Sequence, residues 1–138
     1  MNALLAIGRI LFAILFVNSG VMHIAKLEAM TGYAKYKKVP APKFFVALTG
    51  VAIVLGGLSV ALGVYADLGA LILAIFSVTA AFKMHNFWAE TTPQGKMTES
   101  PAFFKDLALS GAALILFVII GRHTDFGWHI TSPLFNFK

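Results

Sequence analysis

Residues 44–66 read FFVALTGVAIVLGGLSVALGVYA, 23 positions without one charged side chain. A helix needs about 20 predominantly apolar residues to cross the hydrocarbon of a bilayer. This stretch reaches that length unaided. Three shorter uncharged runs accompany it: 16 residues between Arg9 and Lys26, 15 between Asp67 and Lys83, and 15 between Asp106 and Arg122. None of the three carries a continuous polar face, so none reads as the amphipathic helix of a soluble bundle. Arg9, Lys83 and Arg122 stand near segment ends, where long basic side chains can snorkel to the interface. With those ends included, the runs become spans. The sequence therefore predicts an all-α, integral membrane four-helix bundle in one domain, residues 1–138, with spans at about 3–22, 44–65, 68–88 and 104–120.

Composition points the same way. The 138 residues are 59% hydrophobic and 12% charged, with a mean hydropathy of +0.82. Soluble domains are roughly 25% charged, and a small domain leaves much of its area exposed. Six acids and eleven bases cannot cover such a surface, so its apolar part must face lipid. The first residues, Met1-Asn2-Ala3, lack a basic side chain, Arg9 interrupts the apolar run and no small-x-small site follows. That pattern reads as a retained first helix rather than a signal peptide.

With no cysteine, the chain holds no disulfide and no thiol relay of its own. The net charge of +5 is spread between apolar segments, as suits anionic lipid and not nucleic acid. No phosphate loop, nucleophile elbow or metalloprotease helix motif is present. The acids fall in loops or at segment ends, without paired intramembrane carboxylates of the kind an ion-coupled pump would need.

The connection at residues 23–43 mixes aromatic and basic residues, Tyr33-Ala34-Lys35-Tyr36-Lys37-Lys38, before Pro40 and Pro42. This suggests an interfacial segment between helices 1 and 2. A tight turn at Tyr65-Ala66-Asp67 joins the second and third spans. Residues 89–103, with Pro93-Gln94-Gly95 and Pro101 as breakers, join the third and fourth. The tail aromatics Phe126, Trp128, Phe135 and Phe137 suit the headgroup region. The first and third connections hold eight lysines against three basic residues at the other end. The positive-inside bias then puts both long loops in the cytoplasm and both termini outside.

Close helix approach in lipid favours small residues at helical spacing. Ala52, Gly56, Ser59 and Gly63 form one such stripe, and Ala70, Ala74, Ser77 and Ala81 another; Gly8, Phe12, Phe16 and Ser19 share a face of the first span. Phe76 falls opposite its stripe, towards lipid. Packing alone accounts for these patterns. His23 and His85 continue two of the stripes at the same end of the bundle, with Asn18, Lys26, Lys83, Asn86 and Trp88 nearby. A histidine there can serve only the helix C-terminus. The pair can also hydrogen-bond the carbonyls of a quinone headgroup, with Trp88 stacking and Asn86 and Lys26 assisting. A third role is ligation of a haem iron from two helices. His123, Asp125 and His129 make a loose grouping in the tail, for which surface solvation or a metal are the alternatives.

The opening Gly8-Arg9-Ile10-Leu11-Phe12, then Phe16-Val17-Asn18-Ser19-Gly20, Gly56-Gly57-Leu58, Leu62-Gly63 and the histidine closing the third span resemble the DoxX family, over roughly residues 6–116. The resemblance implies a small protein of a bacterial or archaeal inner membrane. Some members are subunits of quinone-linked thiosulfate oxidation or associate with membrane redox complexes, and distant relatives act in trafficking and assembly. It brings no agreed catalytic residues. Two functions of different class follow as expectations. One is a quinone-binding, redox-associated subunit or anchor for a partner oxidoreductase, with a site at His23, His85, Asn86, Trp88 and Lys26. The other is a non-enzymatic assembly scaffold whose basic loops contact a partner, with a homo-oligomer possible. A small solute or lipid carrier is a third.

Overall fold

The computed structural model describes residues 2–122 and 126–137. Its helices are α1 (Asn2–Ala25), α2 (Leu27–Tyr36), α3 (Pro42–Leu62), α4 (Ala66–Met84) and α5 (Pro93–Arg122), with a single 3-10 turn at Phe87–Ala89 before α5. Four of them are long and apolar enough to cross a membrane. The chain is a four-helix membrane bundle, and α2 is the short element between its first two spans. Residues such as Leu55 (61% exposed) and Ile115 (62%) point outward from the bundle, where lipid covers them at no hydrophobic penalty.

The core is small. Phe16, Ile53, Val60, Ala70, Leu73, Ala74 and Ala113 form its centre, with contributions from every span. Small residues let the backbones meet. A Cβ built on Gly20 of α1 would fall 2.6 Å from the carbonyl oxygen of Gly50 on α3, and one on Gly50 would fall 2.7 Å from the Cβ of His23. The stripe Ala70, Ala74, Ser77 and Ala81 is buried as the sequence suggests. In α1, however, Gly8 is exposed, and the inward face is Ala6, Arg9, Ala13, Phe16 and Gly20.

Two expectations about polar ends change. Arg9 does not snorkel; it is 1% exposed, donates to the Trp128 carbonyl and lies 5.2 Å from the Phe126 ring centroid. The tail folds back to receive it. Ile130 and Thr131 both donate to the Gly63 carbonyl at 3.0 Å, and the Phe135 N–H donates to Asp67 Oδ2 at 2.6 Å. Phe126 is buried and Phe135 and Phe137 pack on Phe117. The tail thus caps one end of the bundle, and only Trp128 among its aromatics is strongly exposed. His123 and Asp125 lie outside the described residues. The His129 ring stacks on Phe126.

The second change is the start of α5. Residues 93–103 are helical, not a broken loop. Thr92 Oγ1 accepts the Gly95 N–H at 3.1 Å, which caps the first turn, and Pro93 begins the helix without needing its missing donor. Pro101 lies inside the helix on an exposed face, where the carbonyl it leaves unpaired can meet water. A 30-residue helix is about 45 Å long, the thickness of hydrocarbon and headgroups together. Its first turns therefore extend beyond the hydrocarbon, alongside α2.

Candidate functional site

Extending α5 upstream creates a face that carries two acids. Glu99, Phe103, Asp106, Ser110 and Ala113 recur at steps of four and three and are all buried. Ser110 secures this face by donating to the Ala74 carbonyl at 3.0 Å. One turn above it, α4 ends at Met84 and His85 follows as its C-cap. The imidazole thereby lands between the two carboxylates. Nδ1 is 2.7 Å from Glu99 Oε2, and Nε2 is 3.5 Å from Asp106 Oδ2.

Helix α2 closes over this pair. The Tyr33 hydroxyl lies 2.6 Å from Glu99 Oε1 and 3.0 Å from the Met84 carbonyl. Lys37, just past the end of α2, turns inward. Its ammonium sits 2.6 Å from Glu90 Oε1, 3.1 Å from Asn86 Oδ1 and 3.6 Å from Glu99 Oε1, with a side chain only 3% exposed. Burial, the hydrogen bond to Glu99 and the nearby negative charge of Glu99 and Glu90 hold the Tyr33 phenol well above its usual range. Tyr33 is thus a permanent donor at neutral pH.

Beneath α2 lies a cavity of about 290 Å³ whose lining includes Phe16, His23, Phe76, Lys83, His85 and Asp106. That is the low end of the size range for ligand sites. The walls are mostly apolar. His23 and Phe76 meet edge to face across 6.2 Å, so Phe76 faces the cavity and not lipid. His23 Nδ1 is 2.8 Å from the Ser19 carbonyl. A carbonyl only accepts, so Nδ1 carries the proton and a neutral His23 keeps Nε2 as an acceptor. Exposed Leu15, Thr79, Lys83 and Lys105 belong to the rim, which joins the cavity to the outside of the bundle.

The five residues singled out in the sequence therefore separate. His23 and His85 line one cavity. Asn86 is one position away and engages Lys37. Trp88 is 53% exposed and belongs to an aromatic group with Phe82, Phe87 and Phe103, outside the cavity lining. Lys26 is exposed between α1 and α2 and also lies outside that lining. Tyr33, Lys37, Glu99 and Asp106 were missed. The two acids had a signal in their seven-residue spacing, two helical turns, which the two prolines disguised; Tyr33 and Lys37 had none beyond their place in the basic, aromatic connection.

A haem iron held by both histidines would need a free nitrogen from each. His85 has a carboxylate near both of its nitrogens, so this donor set does not fit. Among the described residues, no group of three or more histidine, cysteine or carboxylate side chains is placed to hold a metal ion.

No curated protein and no solved structure matches this chain. The DoxX family model matches residues 4–86, a stretch that holds α1 to α4 and both cavity histidines. On that match, the chain belongs to the DoxX family.

Proposed function

We propose that this protein binds a quinone headgroup in the cavity beneath α2 and serves a partner oxidoreductase as its membrane subunit. The observation that carries the reading is the meeting of His23 and His85 in one apolar cavity at the lysine-rich end of the bundle. A quinone supplies two-electron, two-proton chemistry when bound. The chain's residues would do the holding. Phe16 and Phe76 offer flat apolar walls, His23 accepts a hydroxyl proton on Nε2 when its ring is neutral, and His85, held between Glu99 and Asp106, completes the polar end of the cavity. Lacking cysteine, the chain would take electrons from its partner. The lysine bias supports placing this end in the cytoplasm.

The test is occupancy. A short-tailed benzoquinone added to detergent-purified protein is followed by native mass spectrometry, with His23→Ala and His85→Ala beside wild type. Binding in wild type that falls at least about tenfold in each variant, with helicity unchanged, supports the site. Equal occupancy in all three proteins removes it.

A second reading has one observation in its favour. Lys35 and Lys38 are exposed at the same end, while Lys37 between them is turned inward. Two outward cations, one on α2 and one just past its end, suit a scaffold that meets an acidic partner or anionic lipid. Recovery of a stable partner by gentle crosslinking, without any bound quinone, would favour that role.

A further inference from the structure

The cavity histidine at the end of α4 has an arrangement that holding a headgroup does not require. A single donor would suffice for a carbonyl. His85 instead stands between two acids of different position. Asp106 lines the cavity. Glu99 does not; it lies on the other side of His85, two turns of α5 nearer the end of the bundle, with a residual side-chain exposure of 12%. We infer that Glu99, His85 and Asp106 form a proton path between the end of the bundle and the cavity.

The proposal rests on the quinone reading, in that it gives the cavity an occupant that exchanges protons. The step itself is a transfer along existing contacts. A proton on Glu99 Oε2 passes to His85 Nδ1 across 2.7 Å. The imidazolium so formed releases the proton on Nε2 towards Asp106 Oδ2, 3.5 Å away. One proton enters and one leaves. The ring is then left with its proton on Nδ1, and rotation of the imidazole or return of that proton to Nε2 through solvent resets it for the next transfer. The second gap lies just outside hydrogen-bond range, so transfer there waits on a small approach of the two side chains. No oxidant or reductant takes part in the transfer.

The surroundings favour this use of the three groups. Tyr33 from α2 keeps its proton and fixes Glu99 Oε1, which leaves Oε2 for the imidazole. Lys37 compensates the negative charge of Glu90 and Glu99 from the other side. Lys105 on α5 lies 3.3 Å from Asp106 Oδ1, again leaving Oδ2 for His85. Lys83 from α4 and His23 from α1 share the cavity with Asp106. Glu99 thus has one oxygen engaged by the Tyr33 hydroxyl, Asp106 has one paired with the half-exposed Lys105, and the remaining oxygen of each is turned to the same ring. A structural ion pair needs only one such contact. Two, on the two nitrogens, are what a carrier of protons needs.

Two readouts test this. The first needs no quinone. Nitrogen NMR of ring-labelled His85, with carboxyl-carbon signals of Glu99 and Asp106, is recorded through a pH titration of the whole protein in detergent. The expected result is that both ring nitrogens and both carboxyl carbons shift together, and that Glu99→Gln and Asp106→Asn each remove the coupling on their own nitrogen. A ring that keeps one tautomer in every variant overturns the path. The second is proton uptake by protein loaded with a short-tailed benzoquinone and reduced at an electrode. Glu99→Gln and Asp106→Asn should each slow uptake about a hundredfold, and Glu99→Gln, which lies outside the cavity lining, should leave occupancy unchanged. Full uptake rates in both variants overturn the path and leave the quinone site standing. Absence of benzoquinone from wild type would sink the quinone site, and the NMR titration would then still decide whether the three groups share protons.

Discussion

The hydroxyl of Tyr33 on α2 lies 2.6 Å from Oε1 of Glu99 on α5, so the surface helix is fastened to a buried acid of a membrane span. Removing the hydroxyl with Tyr33→Phe leaves Glu99 without its shortest donor. The loss should destabilise the protein by about 1–3 kcal/mol, the range for a buried acceptor deprived of its partner. Unfolding of purified protein at neutral pH reads this directly, and an unchanged midpoint would mean that water replaces the phenol freely.

The same residue gives the bundle a defined alkaline limit. The folded protein holds the Tyr33 proton more tightly than the unfolded chain does. That contribution is complete below about pH 10, the unfolded value, and is lost as pH rises beyond it. Wild type should lose thermal stability above about pH 10 more steeply than Tyr33→Phe. Parallel curves for the two proteins would show that Tyr33 ionises normally.

Helix approach and cavity shape are coupled through Gly50. A methyl group there would press on the Cβ of His23, on the neighbouring helix and at the cavity wall. Gly50→Ala should destabilise by about 1–3 kcal/mol, as overpacking generally does, and should also lower benzoquinone occupancy by displacing His23. Gly8, where an added Cβ meets nothing within 4 Å, provides the control. Gly8→Ala should leave occupancy unchanged and, as alanine replaces glycine inside a helix, should not destabilise. A drop in occupancy for Gly8→Ala equal to that for Gly50→Ala would detach the effect from His23.

The outline of this fold was legible because lipid imposes a simple demand, one long apolar helix per crossing. Residues 44–66 announce it by themselves. The stripe through Ala74 and Ser77 was legible for the same kind of reason, since small residues at helical steps have one common use in lipid. The site was legible only in half. His23 and His85 could be placed at one end by counting helix directions. Glu99 and Asp106 could not, because Pro93 and Pro101 read as ends of structure. A proline in the first turn breaks nothing, and one at an exposed, hydrated level of a helix is tolerated. Trp88 left its expected surroundings because helix α4 stops at Met84, whereas Phe76, inside the intact helix, meets the cavity because His23 of α1 packs against that face. Past Met84 the helical projection that put Trp88 in line with His85 no longer holds. Arg9 was misjudged because its partners come from the far end of the chain, a contact that no local pattern encodes.

Arg9 should govern how the tail docks. It donates to the Trp128 carbonyl and lies under Phe126, while Ile130 and Thr131 are held by Gly63. Arg9→Leu removes both contacts but also relieves a buried charge whose Nε and Nη1 have no hydrogen-bond partner among the described residues. Global stability is therefore a poor readout, since the two effects oppose each other. Amide exchange at Ile130 and Thr131 isolates the tail, and should quicken by about tenfold for the loss of one hydrogen bond's net contribution. Unchanged protection would mean that the backbone bonds to Gly63 hold the tail without Arg9.

Trp88 and Phe76 offer the sharpest division between what the sequence favoured and where the side chains lie. Trp88 sits among Phe82, Phe87 and Phe103 and is half exposed; Phe76 faces His23 inside the cavity. If a flat headgroup rests in that cavity, the aromatic wall it loses on truncation is Phe76. Phe76→Ala should weaken benzoquinone binding by about tenfold, in keeping with the roughly 0.5–1.5 kcal/mol of an aromatic pair plus lost apolar contact. Trp88→Ala should leave occupancy within about twofold, whatever it does to the packing of the 3-10 turn. Binding isotherms of the two variants decide between the residues. The reverse order of effects would move the headgroup out of the cavity and onto the aromatic cluster at the membrane surface.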